Sequence, residues 1–275
     1  MKKVIISALL LIAVVVWIFF AYSTASPLAP KNVIEPEFSA AFDRGKGTDA
    51  DDSSPHPLAD SSQVNGIIFT KGLTVGQAPA GYFSDALVIG DSRIVGLQLY
   101  GGDAMKDAVW FAATSMGVYN YSKTTVEVEG LGKVGLEELL AKKTFTKIYV
   151  CLGINQIGYG MEDHEAKFDA FIKMLRQTCP QAIVILVSNL HVAKSRSDTD
   201  ASVNNPRINE LNTWLSRQQN GSSIFYIECN QLFDDASGAM GAEYTSDRTH
   251  LYAKYYPQWS EYLAANAIYQ EGDSR

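Results

Sequence analysis

Three short clusters in this 275-residue chain carry side chains that could perform nucleophilic chemistry together. Gly90-Asp91-Ser92-Arg93 sets a serine at the end of the apolar run Ala86-Leu87-Val88-Ile89, where a buried strand should turn into a helix over 94–99. Far downstream, Asp247-Arg248-Thr249-His250 holds an imidazole three residues after a carboxylate, and Gly153-Ile154-Asn155 lies between the two. A serine hydroxyl attacks a carbonyl when a base removes its proton. The base needs an acid to fix its tautomer, and the oxyanion that forms needs N–H donors. Ser92, His250, Asp247 and Asn155 could fill those roles in that order. From spacing alone each cluster is weak, because a loop histidine near an acid is common.

Other candidates are better explained without chemistry. Gly130-Leu131-Gly132-Lys133-Val134-Gly135 matches the G-x-G-x-x-G spacing of a dinucleotide-binding turn. Residues 124–129 before it alternate polar and apolar like an exposed strand or hairpin, and no acid stands about twenty residues on, where 149–156 lies. Turn glycines account for the match, and no cofactor is expected. His164 follows Glu162-Asp163 in the first turn of an amphipathic segment and is expected in solvent. His191 follows the fourth apolar run, where it would be either a substrate contact or an ordinary loop residue. Cys151, Cys179 and Cys229 are an odd count with no C-x-x-C pair, so no metal site is expected, and Cys151 and Cys229 read as small buried hydrophobes.

The elements that must position these clusters are legible as an alternation. Short apolar runs at 86–89, 109–113, 148–152, 183–187 and 224–227 read as strands covered on both faces, as in a parallel sheet. Between them, helical spacing predicts helices at 136–143, 162–178 and 207–219, the last opened by Asn205-Pro206, and a final one over 253–269, kinked or restarted near Pro257. The order implies one α/β domain, a three-layer αβα sandwich around a five-stranded parallel sheet with right-handed crossovers. Ligands in such sheets bind outside the carboxyl ends of the strands, where Ser92 and Asn155 fall.

Ile94 stands where a G-x-S-x-G elbow has its second glycine, so that motif is absent. In their order and separation, Gly90-Asp91-Ser92, Gly153-Ile154-Asn155 and Asp247-Arg248-Thr249-His250 resemble the motifs of the GDSL-type, or SGNH, hydrolase family. The resemblance covers roughly residues 84–270. It implies a flavodoxin-like strand order 2-1-3-4-5, Ser92 as nucleophile, His250 as general base and Asp247 as its orienter. It also implies an oxyanion hole made by the Ser92 N–H, a glycine N–H after the second strand and the Asn155 side chain, and Gly117 is the glycine that fits. Arg93 departs from the leucine of the family name and Gln156 from a common aspartate. Arg93 would either favour anionic substrates or turn outward.

Net charge is -7 and the isoelectric point about 5.1, which excludes the basic footprint of a nucleic-acid binder. Lys2-Lys3 precede an apolar run over 4–21 broken only by Ser7, about the 18 residues that just span a bilayer. The expectation is a signal anchor over 1–25, an extracytoplasmic linker over 26–65 rich in Pro, Asp and Ser, and a catalytic domain over 66–275. The alternative is a cleaved signal with secretion after cleavage near Ala25. Location and family together imply an esterase acting on O-acyl or O-acetyl groups of cell-envelope or surface carbohydrate. An O-acyltransferase using the same triad and a non-catalytic glycan-binding module stand as the rivals.

Overall fold

The five apolar runs become strands because their alternate side chains serve two separate cores. The computed structural model describes residues 61–270. In it the runs form strands β4 (Ala86–Gly90), β5 (Val109–Ala112), β8 (Lys147–Cys151), β9 (Ile183–Val187) and β10 (Ile224–Ile227). All pair in parallel, in the order β10-β9-β8-β4-β5, which is 2-1-3-4-5 counted along the five. On one face Leu87, Ile89, Ile148, Val150, Val184 and Leu186 pack beneath helices α2 (Leu136–Lys142), α3 (Met161–Thr178) and α5 (Asn205–Arg217). On the other, Ala86, Val88, Tyr149, Ile185, Val187 and Phe225 pack against α1 (Ser92–Tyr100) and α6 (Tyr256–Ala265). A one-helical-turn segment, α4 (Lys194–Ser197), follows β9.

Helix spacing and helix ends explain the outer layers. In α5, Ile208, Leu211 and Leu215 recur on one face and are all buried, each contributing roughly 1.5–3 kcal/mol relative to exposure. Asn204 caps that helix, its side chain accepting the Arg207 N–H at 3.1 Å, and Pro206 sits in the first turn. The G-x-G-x-x-G segment is the turn and second strand of the hairpin β6 (Thr125–Val128) and β7 (Gly132–Gly135), as its alternation predicts.

Both ends of the domain differ from expectation. Ser61–Val64, placed in the linker, is strand β1, paired antiparallel with β2 (Ile67–Thr70). The dipeptide Asn65-Gly66, with φ of 50° and 80°, makes the tight turn between them, and this is the hairpin signal the linker boundary overlooked. The final helix ends at Ala265 rather than 269. Asn266 caps it, donating its backbone and side-chain N–H groups to the Tyr262 carbonyl at 3.1 and 2.9 Å. The chain then forms β11 (Ala267–Gln270), antiparallel to β3 (Leu73–Gly76). Cys151 and Cys229 are buried free thiols, and Cys179 is a partly exposed one. Among the described residues no helix is long and apolar enough to cross a membrane. The expected anchor over 1–25 and most of the linker lie outside the described residues.

Candidate active site

Ser92 is the first residue of α1, directly beyond the carboxyl end of the central strand β4. The approach is tight. A Cβ on Gly90 would stand 2.1 Å from Ile94 Cγ1 and 2.9 Å from the Cys151 carbonyl, so glycine lets the helix turn back closely over the strand. Asp91 caps the helix, its Oδ1 accepting the Arg93 N–H at 3.0 Å. As the first helical residue, Ser92 has a backbone N–H with no partner inside the helix.

The Asp247–His250 loop folds over this edge. Ser92 Oγ lies 2.8 Å from His250 Nε2, and His250 Nδ1 lies 2.6 Å from Asp247 Oδ2. The carboxylate can only accept, so Nδ1 carries the proton and Nε2 is left to accept from the serine hydroxyl. Asp247 is itself fixed: its Oδ1 accepts the N–H groups of Thr249 and His250 at 2.9 and 2.8 Å and the Thr245 hydroxyl at 3.2 Å. Partial burial pushes the Asp247 carboxyl up. Hydrogen bonds from the His250 N–H and ring and from the Thr249 N–H outweigh that and bring it down to about 2. The acid is therefore a carboxylate at any ordinary pH.

Asn155 begins the floor opposite. Gly153 turns the chain out of β8 with φ of 122°, a left-handed conformation that favours glycine. The segment is anchored by Asn189, whose side chain donates to the Leu152 carbonyl at 2.9 Å while its own N–H donates to Asn212 Oδ1 at 2.8 Å. Asn155 is exposed and gives one side-chain N–H to the Met116 carbonyl at 3.0 Å. An amide nitrogen has two protons, so one remains for a ligand.

The structure brings Ser92, His250, Asp247, Asn155 and the segment carrying Gly117 to the same end of the sheet. Gly117 differs in one respect from its expected role. Its N–H donates to Asn120 Oδ1 at 2.8 Å, so it is not a free oxyanion donor in this conformation. The cause is local: Asn120, three residues on, folds its side chain back over the turn and also donates to the Ser115 carbonyl at 3.1 Å.

Three other side chains lie elsewhere than expected. Arg93 neither meets a substrate nor turns outward. It is 2% exposed and donates from Nη1 to the Leu190 carbonyl. Burial works against its charge and against that of buried Asp91, and each is offset by the other. His164 is fully buried rather than solvated, close to the Gln156 carbonyl, and burial pulls its basicity down. His191 is buried between Asp234 and Asn209, both ring nitrogens engaged. Thr245 and Asn120 were missed altogether, although Thr two residues before Asp247 and Asn three after Gly117 are both turn-forming spacings. Among the described residues no group of three or more His, Cys, Asp or Glu side chains could hold a metal ion.

The family model of the GDSL-like lipase/acylhydrolase family matches residues 88–256, more than half of the chain. Solved structures to which the chain is similar include a protein from Streptococcus pneumonia provisionally described as a platelet activating factor, at 19% identity over 68% of this chain and 82% of that one, TM-score 0.49. A second, from Desulfitobacterium hafniense and provisionally described as a lipolytic protein of the G-D-S-L family, is 16% identical over 65% of this chain and 97% of its own, TM-score 0.49. A GDSL-like lipase from Bacteroides thetaiotaomicron is 14% identical over 64% and 84%, TM-score 0.44. The curated proteins contain no match.

Proposed function

The chain belongs to the GDSL-like lipase/acylhydrolase family of esterases, and we propose that it cleaves carboxylic esters through Ser92, His250 and Asp247. The observation that carries this reading is the continuous chain of hydrogen bonds from Ser92 Oγ to His250 Nε2 at 2.8 Å and from His250 Nδ1 to Asp247 Oδ2 at 2.6 Å.

In the reaction so read, Ser92 Oγ forms a bond to the ester carbonyl carbon as its proton passes to His250 Nε2. The resulting imidazolium is held by Asp247, whose carboxylate stays ionised because its protonation lies at about 2. The oxyanion is met by the Ser92 N–H and the free side-chain proton of Asn155. Gly117 would join as a third donor if substrate releases its N–H from Asn120. The carbonyl–oxygen bond to the alcohol breaks, His250 returns the proton to that leaving oxygen, and water then attacks the acyl-enzyme by the same route.

The substrate class follows from placement rather than from the site. An amino-terminal anchor over 1–25 would put the domain outside the cytoplasm, where O-acylated envelope or surface carbohydrate is the ester at hand. A fluorophosphonate probe with a series of p-nitrophenyl acyl esters tests the reading. Labelling at Ser92 and turnover favouring short acyl chains are expected; an unreactive Ser92 would sink it.

A further inference from the structure

The residue after Asp247 is in an expensive conformation for its type. Arg248 has φ of 68°, in the left-handed region, and is exposed. The backbone there is dictated by its surroundings. The Arg248 carbonyl accepts the Ala193 N–H at 3.0 Å, while the next two N–H groups converge on Asp247 Oδ1. Glycine would meet those demands without strain, whereas a long side chain gains nothing locally from the left-handed region. The other two non-glycine residues with positive φ are Asn65, a type suited to that region, and Ser115, a small one.

The charges around Arg248 are unequal. It lines a cavity of about 390 Å³ together with Arg196, Thr199, Asp200, Ala201 and Asp247. Arg196 is committed to Asp200 at 3.3 Å and to the Thr249 hydroxyl, and Asp247 is committed to His250 and the loop N–H groups. Among the described residues Arg248 makes no ion pair or side-chain hydrogen bond, so its guanidinium is the one unmatched charge on that wall. The cavity begins at Asp247, two hydrogen bonds and an imidazole ring from Ser92 Oγ.

We propose that Arg248 is an anion subsite: the preferred ester carries a carboxylate or phosphate on the part that reaches past His250 and Asp247 from the acyl group that Ser92 attacks. The inference rests on the esterase reading and adds the charge of the substrate to it. A guanidinium presents a planar fork of donors that matches either anion, and strain is retained where a side chain acts on a ligand.

The test compares kcat/KM of the full chain on O-acetylated polygalacturonate, on O-acetylated neutral mannan and on acetylated glycerol phosphate, for wild type, Arg248→Gly and Arg248→Lys. Wild type should prefer a charged ester over the neutral one, and the charged substrate that gains most identifies the anion. In Arg248→Gly the charged-to-neutral ratio should fall roughly two- to fivefold through KM, the size of one solvent-exposed charge pair. Arg248→Lys should fall between the two, and about 0.5 M NaCl should flatten the wild-type preference. The melting temperature of Arg248→Gly should equal or exceed that of wild type, because strain is removed. An unchanged ratio in folded Arg248→Gly overturns the subsite and leaves the esterase reading intact. A wild-type chain that hydrolyses no ester overturns both.

Discussion

His250 and His191 each present Nδ1 to an aspartate, at 2.6 Å to Asp247 and 2.8 Å to Asp234, yet their second nitrogens meet opposite partners. His250 Nε2 faces the hydroxyl of Ser92, which can donate, in a loop whose side chains are 39% and 54% exposed for His250 and Asp247. His191 Nε2 faces Asn209 Oδ1 at 2.7 Å, an acceptor, and its side chain is only 9% exposed. With an acceptor on each side, the arrangement favours a proton on both ring nitrogens of His191. Burial pulls its basicity down, but the bonds to Asp234 and Asn209 outweigh burial and raise it. One histidine–aspartate pair is therefore open to a nucleophile and can exchange a proton. The other is a closed structural link, which binds its proton more firmly as part of the fold.

The contrast can be broken most decisively at the nucleophile and its base. Ser92→Ala or His250→Ala should lower kcat by roughly 10⁴-fold or more on a p-nitrophenyl ester, with little change in melting temperature. Comparable activity in His250→Ala would mean that the open pair is not the catalytic one. Next in size is Asn155→Ala, expected to lower kcat by roughly 10²–10³ with KM little changed, as for one lost oxyanion donor. If kcat stays near normal there, the oxyanion is held by other groups.

The closed pair should fail in stability instead. His191→Leu leaves half-buried Asp234 without its partner and should cost about 3 kcal/mol in denaturant unfolding, while kcat of the folded fraction stays close to wild type. The pH dependence has a definite sign. A histidine whose folded-state basicity is raised adds stability that is full below the ordinary histidine value of about 6.5 and is lost as pH rises through the higher folded value. The unfolding midpoint should therefore drop as pH rises beyond about 6.5 in wild type and flatten in His191→Leu; equal slopes would contradict the charged reading. The smallest effect expected is from removing Met1–Ala25, which should leave kcat unchanged if that segment is only an anchor. Lost activity in the shortened chain would show that it contributes to the domain.

The positions of the proposed triad were legible because their chemistry is tied to place. A serine after a buried strand and an Asp-x-x-His in a carboxyl-terminal loop become informative once five apolar runs put both at one sheet edge. The strands read well because each run is apolar on both faces, and the two cores now explain why. The residues around them were obscure for a physical reason. Arg93 and His191 are polar types in turn and loop positions, and His164, four residues before Phe168, falls on the buried stripe of its helix; each is buried where a particular partner receives it. Such partners come from segments far away in sequence: Leu190 for Arg93, Asp234 for His191. Gly117 does follow the second strand, but the side chain of Asn120 that takes its N–H is a detail of one turn that spacing does not reveal.

The account turns on which histidine activates which serine, and covalent labelling resolves this directly. Full-length wild type, His250→Ala and His191→Leu would be treated with a fluorophosphonate, and the modified peptide and the labelling rate read by mass spectrometry. The structure predicts a single adduct on Ser92 in wild type and in folded His191→Leu at similar rates, and a rate at least about 10²-fold lower in His250→Ala. An adduct on another residue, or a Ser92 rate unaffected by His250→Ala, would contradict it.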